Sequence, residues 1–320
     1  MNSNFFLTHT ISSISSKISY NSKIISLGSC FSDNIGNKLL DSCFDIVVNP
    51  FGVLFNPASV CKSLKYIIDN KRFTEKDIFQ NGSLWSSFAH STLFSSPNKE
   101  ECLNRINSQI QHAHNQTINL DFLLLTFGTS WVFELKETGD IVANCHKLPS
   151  NLFVRRRLNI DEIVAQYSVI IERFRNINPS LEIVFTVSPV RHWKDGAHEN
   201  NISKGILHIA IDALCKRYNF TNYFSAYEIQ IDELRDYRFY ADDMIHPSTQ
   251  AIDYIWQRFI EYCIDENELP LMQRIEEIKS LENHRPIHTD IPEYVQLKHQ
   301  IESKKNLIIK DFPFLNSRLK

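Results

Sequence analysis

The chain has 320 residues, 43% of them hydrophobic and 22% charged, a globular composition that excludes a disordered or fibrous protein. Its 34 basic and 37 acidic residues are mixed along the sequence and leave a net charge of -3, too weak a field for a nucleic-acid partner. No apolar run is long enough to span a bilayer, and the first residues lack a basic segment followed by a sustained apolar one, so a cytoplasmic location is expected.

Residues 1–22, rich in Ser, Ile and Asn without a helical stripe, read as an extended, loosely attached N-terminal arm. Ile24 to Leu27 is β-like and is broken by Gly28; Ile35, Leu39 and Leu40 then fall at helical spacing, which predicts strand, tight turn and helix. Phe44 to Val48 reads as a second buried strand ending at Asn49-Pro50-Phe51-Gly52, and Asn56-Pro57 as the cap and first residue of a helix to Asp69. A loop region with Trp85 and His90 precedes a helix from Lys99 to about Ala113. Phe122 to Phe127 is the clearest buried strand, stopped by Gly128, and Trp131 to Ala143 predicts an inserted hairpin around Glu137-Thr138-Gly139-Asp140. Helices over 159–176, 199–218 and 249–262 alternate with strands at Glu182 to Val187 and Asn222 to Phe224.

Such alternation implies a parallel sheet with helices on both faces, because parallel neighbours need crossover connections. One α/β domain is expected over 23–263, followed by a charged, mainly helical extension over 264–320. Ligands of such sheets bind beyond the carboxyl ends of the strands, which is where the polar turns fall.

Seven cysteines without a Cys-x-x-Cys pair give neither a disulfide framework nor a zinc knuckle. Neither His112 with His114 nor Cys145 with His146 has metal-ligand spacing, so no metal site is expected. Most of the thiols read as small buried residues. Cys30 differs, because Gly28-Ser29-Cys30-Phe31-Ser32 follows a strand and opens a helix, where free N–H groups and the helix dipole favour an anion. The same segment also fits a tight turn whose Cys packs inward.

Asp243 and His246, three residues apart before a helix, can set a carboxylate on one imidazole nitrogen and leave the other to serve as general base. A capped turn with a surface histidine has the same spacing. Asn144, His146 and Lys147 at the hairpin end suit either an anionic substrate group or a plain polar turn. Arg191 and His192, after a strand, fit either a pocket wall or an exposed loop.

Taken in order, six blocks resemble the GSCFA-domain family of the SGNH-hydrolase superfamily: 28–32, 49–52, 128–131, 144–147, 188–192 and 242–247. The first block carries Ser where the family motif ends in Ala, and the resemblance covers roughly 23–260. It implies a three-layer α/β/α, flavodoxin-like sheet and an esterase or O-acyltransferase that needs no cofactor, with acyl-CoA as a conceivable acyl donor. Small-molecule or carbohydrate esters are the implied partners. By this resemblance Cys30 takes the nucleophile position, His246 and Asp243 the base and its orienter, and Gly52 an oxyanion-hole glycine. The superfamily's Gly-x-Asn falls on Gly128-Thr129-Ser130, so the third donor is Ser130, Asn49 or Asn144. The rivals are a non-catalytic binding fold and a redox-sensing thiol resolved by Cys43.

Overall fold

The computed structural model describes residues 7–283 and 292–319. Residues 1–6, 284–291 and 320, parts of the expected arm and extension, lie outside the described residues.

β1 (Lys23–Gly28) runs directly into α1 (Cys30–Asp41), and β2 (Asp45–Val48) follows. α2 (Pro57–Ile68) is capped by Asn56, whose side chain accepts from the Ser59 N–H, with Pro57 in its first turn. A small hairpin, β3 (Phe79–Asn81) and β4 (Leu84–Ser86), lies in the stretch expected as loop and precedes α3 (Lys99–Thr117). β5 (Phe122–Phe127) leads into β6 (Trp131–Leu135), β7 (Ile141–Val142) and β8 (Phe153–Arg157). α4 (Ile160–Ile177), β9 (Glu182–Val187), α5 (Gly196–Arg217) and β10 (Thr221–Tyr223) complete the alternation. The chain continues through α6 (Ala226–Glu228), α7 (Thr249–Cys263), α8 (Leu269–Asn283) and α9 (Pro292–Asp311).

The central sheet is parallel throughout, in the order β10-β9-β5-β1-β2. Counted among the sheet strands alone this is 2-1-3-4-5, the flavodoxin-like doubly wound order. The period of two along each strand divides the core. Ile25, Leu27, Leu123, Leu125, Phe127, Ile183, Phe185 and Val187 join one apolar cluster with residues of α2 to α5. Ile24, Phe122, Leu124 and Val184 join a second with α1, α7 and α8. Both faces of β5 are buried, which is why its sequence is an unbroken apolar run.

The insert after β5 is larger than the expected hairpin. β8 pairs with β6 from Trp131↔Arg157 to Leu135↔Phe153, giving an antiparallel sheet in the order β7-β6-β8. Arg155 and Arg157 lie 4.3 Å and 5.3 Å from the Trp131 ring centroid, so cation–π contact covers part of this partly exposed sheet. The N-terminal arm is packed rather than loose: Ile14, Ile18 and Tyr20 are buried, Ile18 forms a parallel bridge to Ile264, and Lys17 Nζ donates to the Tyr262 carbonyl at 2.9 Å. Leu271, Met272, Ile275 and Ile278 of α8 bury into the same cluster as the arm. Among the described residues no helix is long and apolar enough to cross a membrane.

Candidate active site

At the end of β1 the chain turns through Gly28 and Ser29, and Cys30 is the first residue of α1. Gly28 has a positive φ of 147°, and a Cβ there would lie 2.1 Å from the Thr126 carbonyl oxygen of β5. Only glycine lets the two strands approach this closely while the turn forms. Ser29 is the N-cap: its hydroxyl accepts from the Phe31 N–H at 3.4 Å, and the residue is 1% exposed. Cys30 is half-buried. This difference puts Cys30, rather than Ser29, at the accessible position of the turn.

Asn49, buried with φ 42°, locks the turn from beside it. Its side-chain oxygen accepts from the Gly28 N–H at 2.8 Å and its amide donates to Asp33. Burial raises the Asp33 carboxyl pKa despite that bond. The Cys30 thiol is also raised, first by burial and then by Asp33; the Phe31 and Cys30 N–H groups and Lys204 oppose the shift. The thiolate bias expected from the helix N-terminus is therefore outweighed by desolvation.

The Asp243–His246 pair forms in the loop before α7. Asp243 Oδ1 accepts from the Ile245 and His246 N–H groups, each at 2.9 Å, while Oδ2 lies 2.6 Å from His246 Nδ1. These bonds, the His246 N–H foremost, pull the carboxyl down to about 2. The carboxylate thereby fixes the imidazole with Nδ1 toward Asp243, leaving Nε2 as the free nitrogen. The loop is exposed, and His246 makes no hydrogen bond to Cys30.

Sequence-expected oxyanion donors lie elsewhere in the network. The Gly52 N–H donates to the Asn49 carbonyl at 2.7 Å, closing the Asn49–Gly52 turn, so in this geometry it is occupied. Ser130 is fully buried, with its N–H and hydroxyl both on Ser203 Oγ at 2.8 Å and 3.0 Å. The Asn49 amide is bonded to Asp33, and the Asn144 amide to Thr92 Oγ1 at 3.3 Å. His146 is buried, its Nε2 2.8 Å from the Ser87 carbonyl and its ring edge-on to Phe79, and burial lowers its pKa. Lys147 is exposed, so the expected anion clamp of Asn144, His146 and Lys147 does not converge.

Arg191 and His192 do border pockets. His192 and Asn144 help line a cavity of about 420 Å³ with Phe55, Trp131, Phe133 and Arg155. Arg191, Trp193, Asp243 and Ile245 line another of about 510 Å³. The two side chains thus divide the space beyond the strand ends. His192 Nε2 is inaccessible to solvent and unpartnered, and lies 3.1 Å from where a Gly128 Cβ would be, beside Ser29. Burial, with the charges of Lys204 and His246, pushes the His192 pKa down to about 4, so its ring is neutral.

Lys204 is absent from the sequence reading. It is 2% exposed, and its Nζ donates to the Gly128 and Ser188 carbonyls, each at 2.7 Å, at the ends of β5 and β9. Burial pushes its pKa down to about 7, with Cys30 acting upward and Arg191 downward. Its signal in the sequence is its spacing: Leu207, Ile211 and Leu214 follow at the i+3, i+7 and i+10 positions of the buried α5 face. Among the described residues no group of three His, Cys, Asp or Glu is placed to hold a metal.

A model of the GSCFA family matches residues 23–259. Among solved structures, an acetyl xylan esterase from the rumen bacterium Butyrivibrio proteoclasticus is 11% identical with a TM-score of 0.39, over 79% of this chain and 66% of that one. A carbohydrate esterase of family 3 from Talaromyces cellulolyticus is 12% identical with a TM-score of 0.36, over 80% and 99%. No curated protein matches the sequence.

Proposed function

The chain belongs to the GSCFA family, and from that membership together with the strand-end turn and its histidine we propose that it cleaves or transfers ester-linked acyl groups through Cys30. The observation that carries the reading is the Asp243 carboxylate on His246 Nδ1 at 2.6 Å, which leaves Nε2 free to accept a proton. Cys30 attacks the ester carbonyl as its thiol proton passes to His246 Nε2; the carbonyl π electrons move to oxygen. Collapse of the tetrahedral adduct expels the alcohol, which takes the proton from His246, and leaves a thioester on Cys30. Water or a second alcohol then attacks that thioester with His246 again as base, so hydrolysis and transfer share one intermediate. Closure of the exposed 241–247 loop brings His246 to the thiol.

The developing oxyanion needs donors that no other group occupies. The Cys30 N–H, at the start of α1, is one. The cavity beside His192, walled by Phe55, Trp131 and Phe133, takes an apolar part of the ester. Small-molecule or carbohydrate esters are the substrate class, and an acyl thioester such as acyl-CoA is a chemically competent donor.

Intact-mass measurement after exposure to an activated ester or acyl thioester tests the reading. A covalent acyl increment is expected on the wild type, absent from Cys30→Ala, retained in Ser29→Ala and accumulating in His246→Ala. An increment that survives Cys30→Ala and vanishes in Ser29→Ala would move the nucleophile to Ser29. One observation favours a second reading, a non-catalytic pocket: the Gly52, Ser130 and Asn49 donors are all internally bonded. Absence of any increment in every variant would select it. A redox pair of Cys30 with Cys43 is set aside, because the 12-residue α1 separates them. That helix is about 18 Å long, beyond the reach of a disulfide.

A further inference from the structure

We propose that Lys204 is the counter-ion of the anion that forms on Cys30, a buried ammonium that meets the sulfur's charge once the thiol proton has left. The inference rests on Cys30 as the nucleophile and adds a residue on a different element, α5.

Lys204 is among the largest fully buried side chains, yet both its hydrogen bonds go to neutral carbonyls, and among the described residues no carboxylate reaches it within ion-pair distance. Joining the ends of β5 and β9 needs only donors, which a neutral side chain supplies without the desolvation penalty of an ammonium. A buried cation without an anion is a site waiting for one. Lys204 has a third N–H, and the residue whose carbonyl it holds, Gly128, lies against the turn that carries Cys30: a Cβ on Gly128 would be 3.4 Å from the Ser29 Cβ.

The carboxylate on the α5 side, Glu228, is held by His208 at 3.6 Å and by the Tyr223 hydroxyl at 2.7 Å. Arg191 and His192 approach Lys204 from the loop after β9, and His208 from its own helix; none carries negative charge. The Tyr227 ring on α6 lies 5.6 Å from Nζ and offers only its π face. On the other side, Cys30 is faced by Asp33 of α1, which opposes the thiolate, and Lys204 is the cation whose charge reaches the sulfur. In the reaction the thiol proton leaves for His246 and then for the departing alcohol. Lys204 keeps its own proton throughout; no bond to it forms or breaks, and its charge stabilises sulfur before attack and again when the thioester is cleaved.

The test is the pH profile of Cys30 alkylation by iodoacetamide, followed by peptide mass mapping, in wild type and Lys204→Met, with Cys145 as reference thiol in the same sample. The Cys30 inflection is expected to move up by about one pH unit in Lys204→Met, a roughly tenfold slower reaction near neutral pH, while the Cys145 profile stays put. A folded Lys204→Met with an unshifted Cys30 inflection overturns the pair. Because that variant leaves two buried carbonyls without donors, a second arm keeps Lys204 in place: NMR of ¹³C-labelled lysine in wild type and Cys30→Ala. Coupling is reciprocal, so Lys204 must titrate at lower pH once the thiol is gone. An unchanged Lys204 titration also overturns the pair. Neither arm needs an ester: loss of the acyl adduct reading leaves these shifts intact, and unshifted profiles leave the adduct experiment intact.

Discussion

Replacing Gly28 by Ala puts a methyl group 2.1 Å from the Thr126 oxygen and 2.8 Å from its carbonyl carbon, both backbone atoms of the neighbouring central strand. Neither can swing aside, because Gly28 is in register with Thr126 and its carbonyl accepts from the Leu54 N–H at 2.8 Å. Opening the strands costs about 1–3 kcal/mol as overpacking, and holding a non-glycine residue at a φ of 147° costs about 1–3 kcal/mol more. The sum is about 4 kcal/mol. With an unfolding entropy of about 2.1 cal/mol/K per residue, about 0.7 kcal/mol/K for this chain, the melting temperature should fall by about 6 °C. Gly82→Ala is the control, since its φ of 59° is also positive but no atom lies within 4 Å of the added carbon. It should lose only the conformational part, about 1 kcal/mol or one to two degrees. Circular dichroism melts of the three proteins decide the matter. A Gly28→Ala melt indistinguishable from that of Gly82→Ala would refute the argument that the turn is built on backbone contact.

Asp243→Asn should lower ester turnover by about 10²- to 10⁴-fold with the fold intact, whereas Asp242→Asn should have little effect, since only Asp243 bonds the imidazole; equal losses would break the dyad assignment. The Asp243 carboxyl, held down to about 2, stays ionised throughout the mildly acidic range, so a falling activity between pH 4 and 7 must come from another group. His90, stacked on Phe51 at 4.6 Å, and His192 are kept neutral by burial, down to about 3 and about 4. The unfolded chain binds those protons from about pH 6.5, so stability should fall as pH drops below 6.5, by about 2 kcal/mol per imidazole at pH 5. Urea midpoints at pH 7.5 and 5 measure this, and His192→Gln should remove about half the difference; identical wild-type midpoints would contradict the burial argument. Under native alkylation Cys43, Cys102 and Cys263, all buried, should remain unmodified while Cys30 and Cys145 react, and labelling of Cys263 first would show that the core opens.

The central strands and the Asp243–His246 pair were legible because both are local patterns. β1, β5 and β9 are apolar runs ended by Gly or Ser-Pro, and the Asp243–His246 bond spans three residues. The availability of the expected oxyanion donors was not, because a donor is defined by who else occupies it. Ser130 satisfies its pattern position, but Ser203, 73 residues away, takes its N–H and hydroxyl. β8 escaped for a related reason: three successive arginines break any apolar alternation, and two of their guanidinium groups find cover only against the Trp131 ring of β6. Lys204 looks like a surface residue by type, and only its place on the α5 stripe argues otherwise.

The docked N-terminal arm sets an order on synthesis. Lys17 and the Tyr262 carbonyl that it binds are 245 residues apart. At about 5–20 residues per second a ribosome needs roughly 12–50 s to cover that distance, so the arm emerges long before its seat. Ile14 and Ile18, buried against residues 262–264, lack those partners for that interval, whereas Tyr20 can stack on Phe44 early. A nascent chain halted before α7 should therefore hold a sheet whose second face is covered by α1 alone, with the apolar surface that α7 and the arm bury still open.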